Sequence, residues 1–186
     1  EAVDGYLSDK DSAISLYGTM NCWDVSAIND MSNLFDWQYS MNEDIGCWDV
    51  SNVTSMANMF YGAGMFNQNI GNWNVSKVKN MANMFSSSSF NQNIGAWNVF
   101  KVETMNDMFS STSFNQNIGA WNVSKVENMN YMFSSSSFNQ NIGAWNVSSV
   151  KSMSGMFYYA STFNQNISMW NTNMVQDLSY MFYAAK

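Results

Sequence analysis

The residues able to do covalent or metal chemistry in this chain are few, and the missing types exclude most such chemistry. No histidine occurs among the 186 residues, which removes Ser-His-Asp and Cys-His nucleophilic catalysis and histidine-ligated metal sites. The carboxylates are scattered. Asp24 and Asp49 share one position after a tryptophan, and later copies of that position hold asparagine. Neither a P-loop nor G-x-G-x-x-G is present. No catalytic residue, metal ligand or cofactor follows, and the chain is expected not to be an enzyme.

Two residue types remain chemically interesting. Cys22 and Cys47 each stand just before a tryptophan, one repeat apart. Stacked parallel strands would bring them within about 4.8 Å, inside the range a disulfide accepts. A bond between them would mean folding in an oxidising compartment. The alternative is two free thiols acting as small apolar residues, like Ala96, Ala120 and Ala144 in the same column. Sequons of the form N-x-[ST] occur at Asn52, Asn74, Asn122, Asn146 and Asn166. Their number means little in a chain so rich in asparagine and serine. Their placement means more, since Asn74, Asn122 and Asn146 hold one outward column, open to N-glycosylation in a eukaryotic secretory route.

These residues are positioned by a motif written seven times, W-[ND]-V-S-x-V-x-x-M-x-x-M-F. Its copies open at Trp23, Trp48, Trp73, Trp97, Trp121, Trp145 and Trp170, spaced 24 or 25 residues apart; only Trp37 is out of register. Self-similarity at this period predicts a solenoid. In the copy from Ile70 to Phe85, Ile70, Trp73 and Val75 have leucine-rich-repeat strand spacing, with Asn74 and Ser76 facing out. Val78, Met81, Met84 and Phe85 then fit one face of a short helix. Ser76 sits where its N-cap belongs, and Ser124 with Glu127 spells a capping box. The expected fold class is an α/β solenoid. It would be a leucine-rich-repeat-like right-handed coil with one short parallel strand and one short helix per 24–25-residue repeat. Residues 1–20 are expected to form an N-terminal cap, helical from about Ala2 to Tyr17, and residues 21–186 the seven-repeat solenoid.

The return segment F90-N-Q-N-I94 recurs with its asparagines in register, which predicts a ladder of amide side chains satisfying backbone groups. A Ca²⁺ site would want carboxylates there instead. The inward phase of the tryptophans, phenylalanines and methionines predicts core rather than a carbohydrate platform or copper ligands. The formal net charge is −7, with pI near 4.2, which argues against nucleic acid and anionic membrane as partners. No apolar run reaches the roughly 18 residues of a spanning helix. Because the chain opens on Glu1, it is expected to derive from a longer precursor, so a signal peptide or anchor would lie outside it.

The last copy is followed by only a few residues, without a polar cap. This makes Trp170, Tyr180, Phe182 and Tyr183 candidates for an exposed assembly edge. Either further residues or another molecule would cover it, and head-to-tail contact of that kind can propagate into a filament.

The runs W48-D-V-S-N-V-T-S-M-A-N-M-F60 and F66-N-Q-N-I-G-N-W73 resemble BspA-like leucine-rich repeats in their mycoplasma-type surface-lipoprotein form, also found in algae and other protists. The likeness covers about nine-tenths of the chain, and Y17-G-T-M-N-C-W-D-V-S resembles the usual start of the first repeat. Phe100 departs from the usual serine, Thr172 from valine, and Asn from Asp in F-N-Q-D-I. The resemblance implies a secreted or cell-surface protein used in adhesion or surface architecture, without enzymatic activity.

The expected function is therefore a non-enzymatic extracellular structural or adhesive scaffold, joined end to end as a fibre subunit or to another surface protein, with N-glycans. The alternative is a ligand-binding module recognising glycans or host proteins on the outward sheet face. There, Phe100 is the candidate contact residue, as the one conspicuous break in a polar, small and monotonous face.

Overall fold

The structure, a computed structural model, describes residues 2–185. Two short helices open it: α1 at Ala2–Ser8 and α2 at Lys10–Tyr17, followed by a single 3₁₀ turn at Met20–Cys22. Asp9 starts α2 by accepting the Ser12 N–H (3.2 Å). Gly18 ends it with φ at 73°, its N–H donating to the Ile14 carbonyl. Such a left-handed cap favours a residue without Cβ.

From Trp23 onward the described residues contain neither a helix nor a strand longer than an isolated bridge. The chain is not an α/β solenoid, and the leucine-rich-repeat coil expected from its spacing is overturned with it. What exists instead is a column of turn-built repeats. Each touches the next through one parallel bridge, in the series Asp30, Ser55, Asn80, Thr104, Asn128, Ser152, Asp177.

The reason lies in where the backbone donors go. In the expected helix, Met81, Asn83, Phe85 and Ser87 donate to the carbonyls of Thr104, Asn106, Met108 and Ser110 in the next repeat. The residues between them, Met84, Ser86 and Ser88, donate three residues back instead. No i→i−4 ladder can run through this alternation. Asn83 (φ 55°) and Ser87 (φ 57°) are left-handed, as are Asn58, Asp107 and Tyr131 in the first column and Ser111, Ser135 and Tyr159 in the second. A left-handed residue every fourth position breaks a right-handed helix, and Asn tolerates that conformation best after glycine. Ser76 and Ser124 consequently cap nothing; their N–H groups donate to Asn74 and Asn122 Oδ1 at 3.2 Å. That bend two residues after each tryptophan also interrupts the expected strand.

Burial nonetheless divides the motif cleanly. Trp73, Val75, Val78, Met81, Met84 and Phe85 are buried, while Asn74 is exposed. Two phenylalanines per repeat stack face to face, as Phe85–Phe90, Phe109–Phe114 and Phe133–Phe138 do at 4.0 Å between centroids. Neighbouring repeats continue the pillar at 5.8 Å for Phe85–Phe109 and Phe109–Phe133. Each buried indole donates to a carbonyl of the preceding repeat, as Trp121 does to Ile94 (3.1 Å) and Trp145 to Ile118 (3.2 Å). The helices pack on the first repeat, with the Tyr6 ring edge-on to Trp23 at 5.5 Å. Tyr6 and Lys10 both reach Glu43, at 3.3 and 2.6 Å.

Candidate functional site

Three surfaces of the column present functional groups. The first is the asparagine ladder. Asn91 Oδ1 accepts the Asn115 N–H (3.0 Å) and Gln116 Nε2 (3.1 Å), and Asn115 Oδ1 accepts the Asn139 N–H (2.9 Å) in turn. The second asparagine of F-N-Q-N-I turns inward on its own repeat, Asn117 Oδ1 accepting the Gly119 N–H at 3.0 Å. These amides satisfy backbone in tight turns and form a structural ladder.

Beside it lie the sequons. Asn52, Asn74, Asn122, Asn146 and Asn166 are all exposed. Asn74, Asn122, Asn146 and Asn166 each accept the N–H of the residue two ahead through Oδ1. Asn52 differs: its Nδ2 donates to the Ser26 carbonyl (2.8 Å) and its Oδ1 accepts from Lys77 (2.7 Å). Phe100 is 41 % exposed with Lys125 Nζ 4.5 Å above its ring, a cation–π contact. Cys22 and Cys47 are exposed free thiols, not the bonded pair expected. Cys22 Sγ lies instead between Thr19 Oγ1 (3.5 Å) and Asn21 Oδ1 (3.4 Å).

The C-terminal edge is the second surface. Met153, Gly155, Phe157 and Tyr159 donate to the carbonyls of Asp177, Ser179, Met181 and Tyr183. The matching donors of the last repeat, Leu178, Tyr180, Phe182 and Ala184, make no backbone hydrogen bond among the described residues. Tyr180, Phe182 and Tyr183 are at least half exposed, and Trp170 is half-buried, its indole donating to Ile142 (3.1 Å). At the other end the carbonyls of Asp30, Ser32, Leu34 and Asp36, in the register of the acceptors, receive no backbone donor among the described residues.

The third surface is a cluster of tyrosines at 131, 158, 159, 180 and 183, of which the sequence pointed to Tyr180 and Tyr183 as edge residues and missed Tyr131, Tyr158 and Tyr159. The available signal was substitution within the repeat, since these tyrosines replace the asparagine or serine that the middle repeats hold in the same columns. Desolvation, then the neighbouring Tyr159 and Tyr183, hold the Tyr158 hydroxyl above its usual pKa.

One carboxylate on this left-handed row is out of place. Burial raises the Asp107 pKa, although Asn106 Nδ2 donates to it at 3.3 Å. A raised folded pKa means the folded protein holds the proton more tightly than the unfolded chain. That favourable contribution exists only at acid pH and is lost as pH rises through the usual carboxylate range, leaving Asp107 destabilising at neutral pH. Asp107→Asn, which installs the residue that Asn83 already is in this column, is expected to raise Tm at neutral pH. Below the carboxylate range the gain should vanish in the same thermal scans.

Geometry and register thus define a turn-built repeat protein whose functional groups lie on its flanks and its C-terminal end. The chain belongs to the family described as "Mycoplasma protein of unknown function, DUF285", whose model matches residues 8–113 and 88–186. No curated protein and no solved structure matches it. Among the described residues no helix is long and apolar enough to cross a membrane.

Proposed function

We propose that the protein is a non-enzymatic structural or adhesive scaffold of the cell surface or extracellular space, joined end to end through its last repeat and carrying N-glycans. The observation that carries this reading is the row of N–H groups at Leu178, Tyr180, Phe182 and Ala184 that make no backbone hydrogen bond among the described residues, in a last repeat that also exposes Met169 and Met174. An open row of donors beside apolar surface is a template for another chain. Donors set against donors cannot pair, so a tail-to-tail dimer is disfavoured. The carbonyl row at Asp30, Ser32, Leu34 and Asp36 supplies acceptors for a head-to-tail contact. Helix α1 lies beside that row, lining a crevice with Val25, Asp30 and Leu34. Addition there competes with α1 and should depend on concentration. The likeness of the W48–F60 segment to BspA-like repeats supports the surface location, and five exposed sequons support the glycans.

Sedimentation velocity tests the association. The protein is expected to shift from its 21.1 kDa monomer to heavier species as concentration rises into the high micromolar range. Leu178→Lys, at a position 46 % exposed, should remain monomeric. A wild-type protein that stays monomeric throughout rules out end-to-end joining. The intact mass of native material should exceed the chain mass and return to it after glycosidase treatment; an unchanged mass removes the glycans.

A further inference from the structure

The tyrosine cluster extends beyond the C-terminal edge, from Tyr180 and Tyr183 to Tyr131 and Tyr158 of the two preceding repeats. In the first left-handed column, Asn33, Asn58, Asn83 and Asp107 give way to Tyr131, Gly155 and Tyr180. Where Ser86, Ser110 and Ser134 stand after the core phenylalanine, the last two repeats place Tyr158 and Tyr183, a residue type this column otherwise holds at Tyr61. These departures, separated along the chain, converge in space. Tyr158 and Tyr183 stack at 5.3 Å and 14°, Tyr131 meets Tyr158 edge-on at 6.2 Å, and Tyr180 meets Tyr183 edge-on at 6.0 Å. They enclose an open cavity of about 460 Å³ lined by Tyr131, Tyr158, Tyr180 and Tyr183, within the range of ligand sites, about 300–1,000 Å³.

The cluster is held at a cost. Tyr131 (φ 52°), Tyr159 (φ 54°) and Tyr180 (φ 56°) are bulky residues in the left-handed region, each strained by about 1 kcal/mol or more. Asparagine or serine would be easier there, as Asn83, Ser87 and Ser111 show. Gly155 contributes as well: any Cβ at that position would collide with the Tyr131 ring, which lies across it. A repeat that abandons its own preferred residues at several converging positions is specialised at that place.

The lining selects the ligand. Four aromatic faces accept apolar C–H surfaces, and each hydroxyl both donates and accepts. No charged side chain lines the cavity, so a phosphate or nucleic acid finds no cation there. A polyproline segment also suits aromatic grooves, but its backbone only accepts, leaving hydroxyl acceptors unused. A sugar ring has apolar C–H faces and hydroxyls of both kinds. We infer that the groove between Tyr131, Tyr158, Tyr180 and Tyr183 binds a neutral saccharide.

Titration calorimetry on the full chain tests this with cello-, chito-, laminari-, malto- and manno-oligosaccharides as probes and a polyproline peptide alongside. At least one oligosaccharide is expected to bind saturably. Tyr131→Asn with Tyr158→Ser, both residues the repeat itself uses in those columns, should weaken binding by about tenfold or more while Tm holds or rises. No binding by any oligosaccharide, binding unchanged in the double variant, or binding of polyproline alone overturns the inference. Leu178→Lys leaves the groove intact and should bind the same sugar, so failure of end-to-end joining and failure of this site are told apart.

Discussion

Phe109→Ala is expected to lower stability by about 3–5 kcal/mol, close to the largest effect a single truncation can have in this chain. Phe109 is fully buried at the middle of the column. Its ring stacks on Phe114 within the repeat and on Phe85 and Phe133 in the repeats either side, and it tilts against Trp121 at 6.3 Å. No neighbour can move into the space, because each is fixed by its own stack. A protein whose repeats touch only their neighbours transmits folding through each interface in turn. Damage at Phe109 should therefore uncouple the halves as well as weaken them. Urea unfolding followed by tryptophan fluorescence should show a lower midpoint and a broadened or split transition. Phe182→Ala, at a ring half exposed and stacked only on Phe157, should cost far less. Equal losses at the two positions would mean that the pillar is not what couples the repeats.

The partition of residues was legible in the sequence, and the backbone that achieves it was not. Trp73, Val75, Met81 and Phe85 read as inward and are buried; Asn74 read as outward and is exposed. The asparagine ladder was legible too, because Asn91, Asn115 and Asn139 recur at a fixed place between apolar residues. Helix and strand failed for a physical reason. Spacing of Val78, Met81, Met84 and Phe85 reports only which side chains share a side, and a run of turns satisfies it as well as a helix does. The deciding facts are the left-handed Asn83 and Ser87 and the donation of Met81, Asn83, Phe85 and Ser87 to the next repeat. These depend on a neighbour that no local window contains. The candidate surfaces divide in the same way. Tyr180, Phe182 and Tyr183 could be picked out because they are apolar residues of the last repeat, and they are at least half exposed. Tyr131 and Tyr158 could not, since a departure from consensus in one repeat acquires meaning only when stacking sets it against a departure in the next.

Gly119→Ala is expected to cost about 3 kcal/mol, at the upper end of the range for overpacked sites, although it adds a single methyl group. A Cβ on Gly119 would stand 2.5 Å from the carbonyl oxygen of Asn141 and 3.3 Å from Asn117 Oδ1. The first of these atoms is backbone of the next repeat and the second is already holding the Gly119 N–H. Relief therefore requires the two repeats to separate, which would strain the bonds that join them, from Met105 to Asn128 and from Phe109 to Met132. Gly71, Gly95 and Gly143 meet the carbonyls of Asn93, Asn117 and Asn166 in the same way. The first and last repeats depart, with Asn21 and Ser168 in this column; beyond Ser168 no following carbonyl stands among the described residues. Thermal and urea unfolding of Gly119→Ala against Gly5→Ala, whose added methyl meets nothing within 4 Å, separates this contact from a general response to losing glycine. A Gly119→Ala protein as stable as the wild type would mean that the repeats can spread at that corner, and the spacing of the whole column would then not be set there.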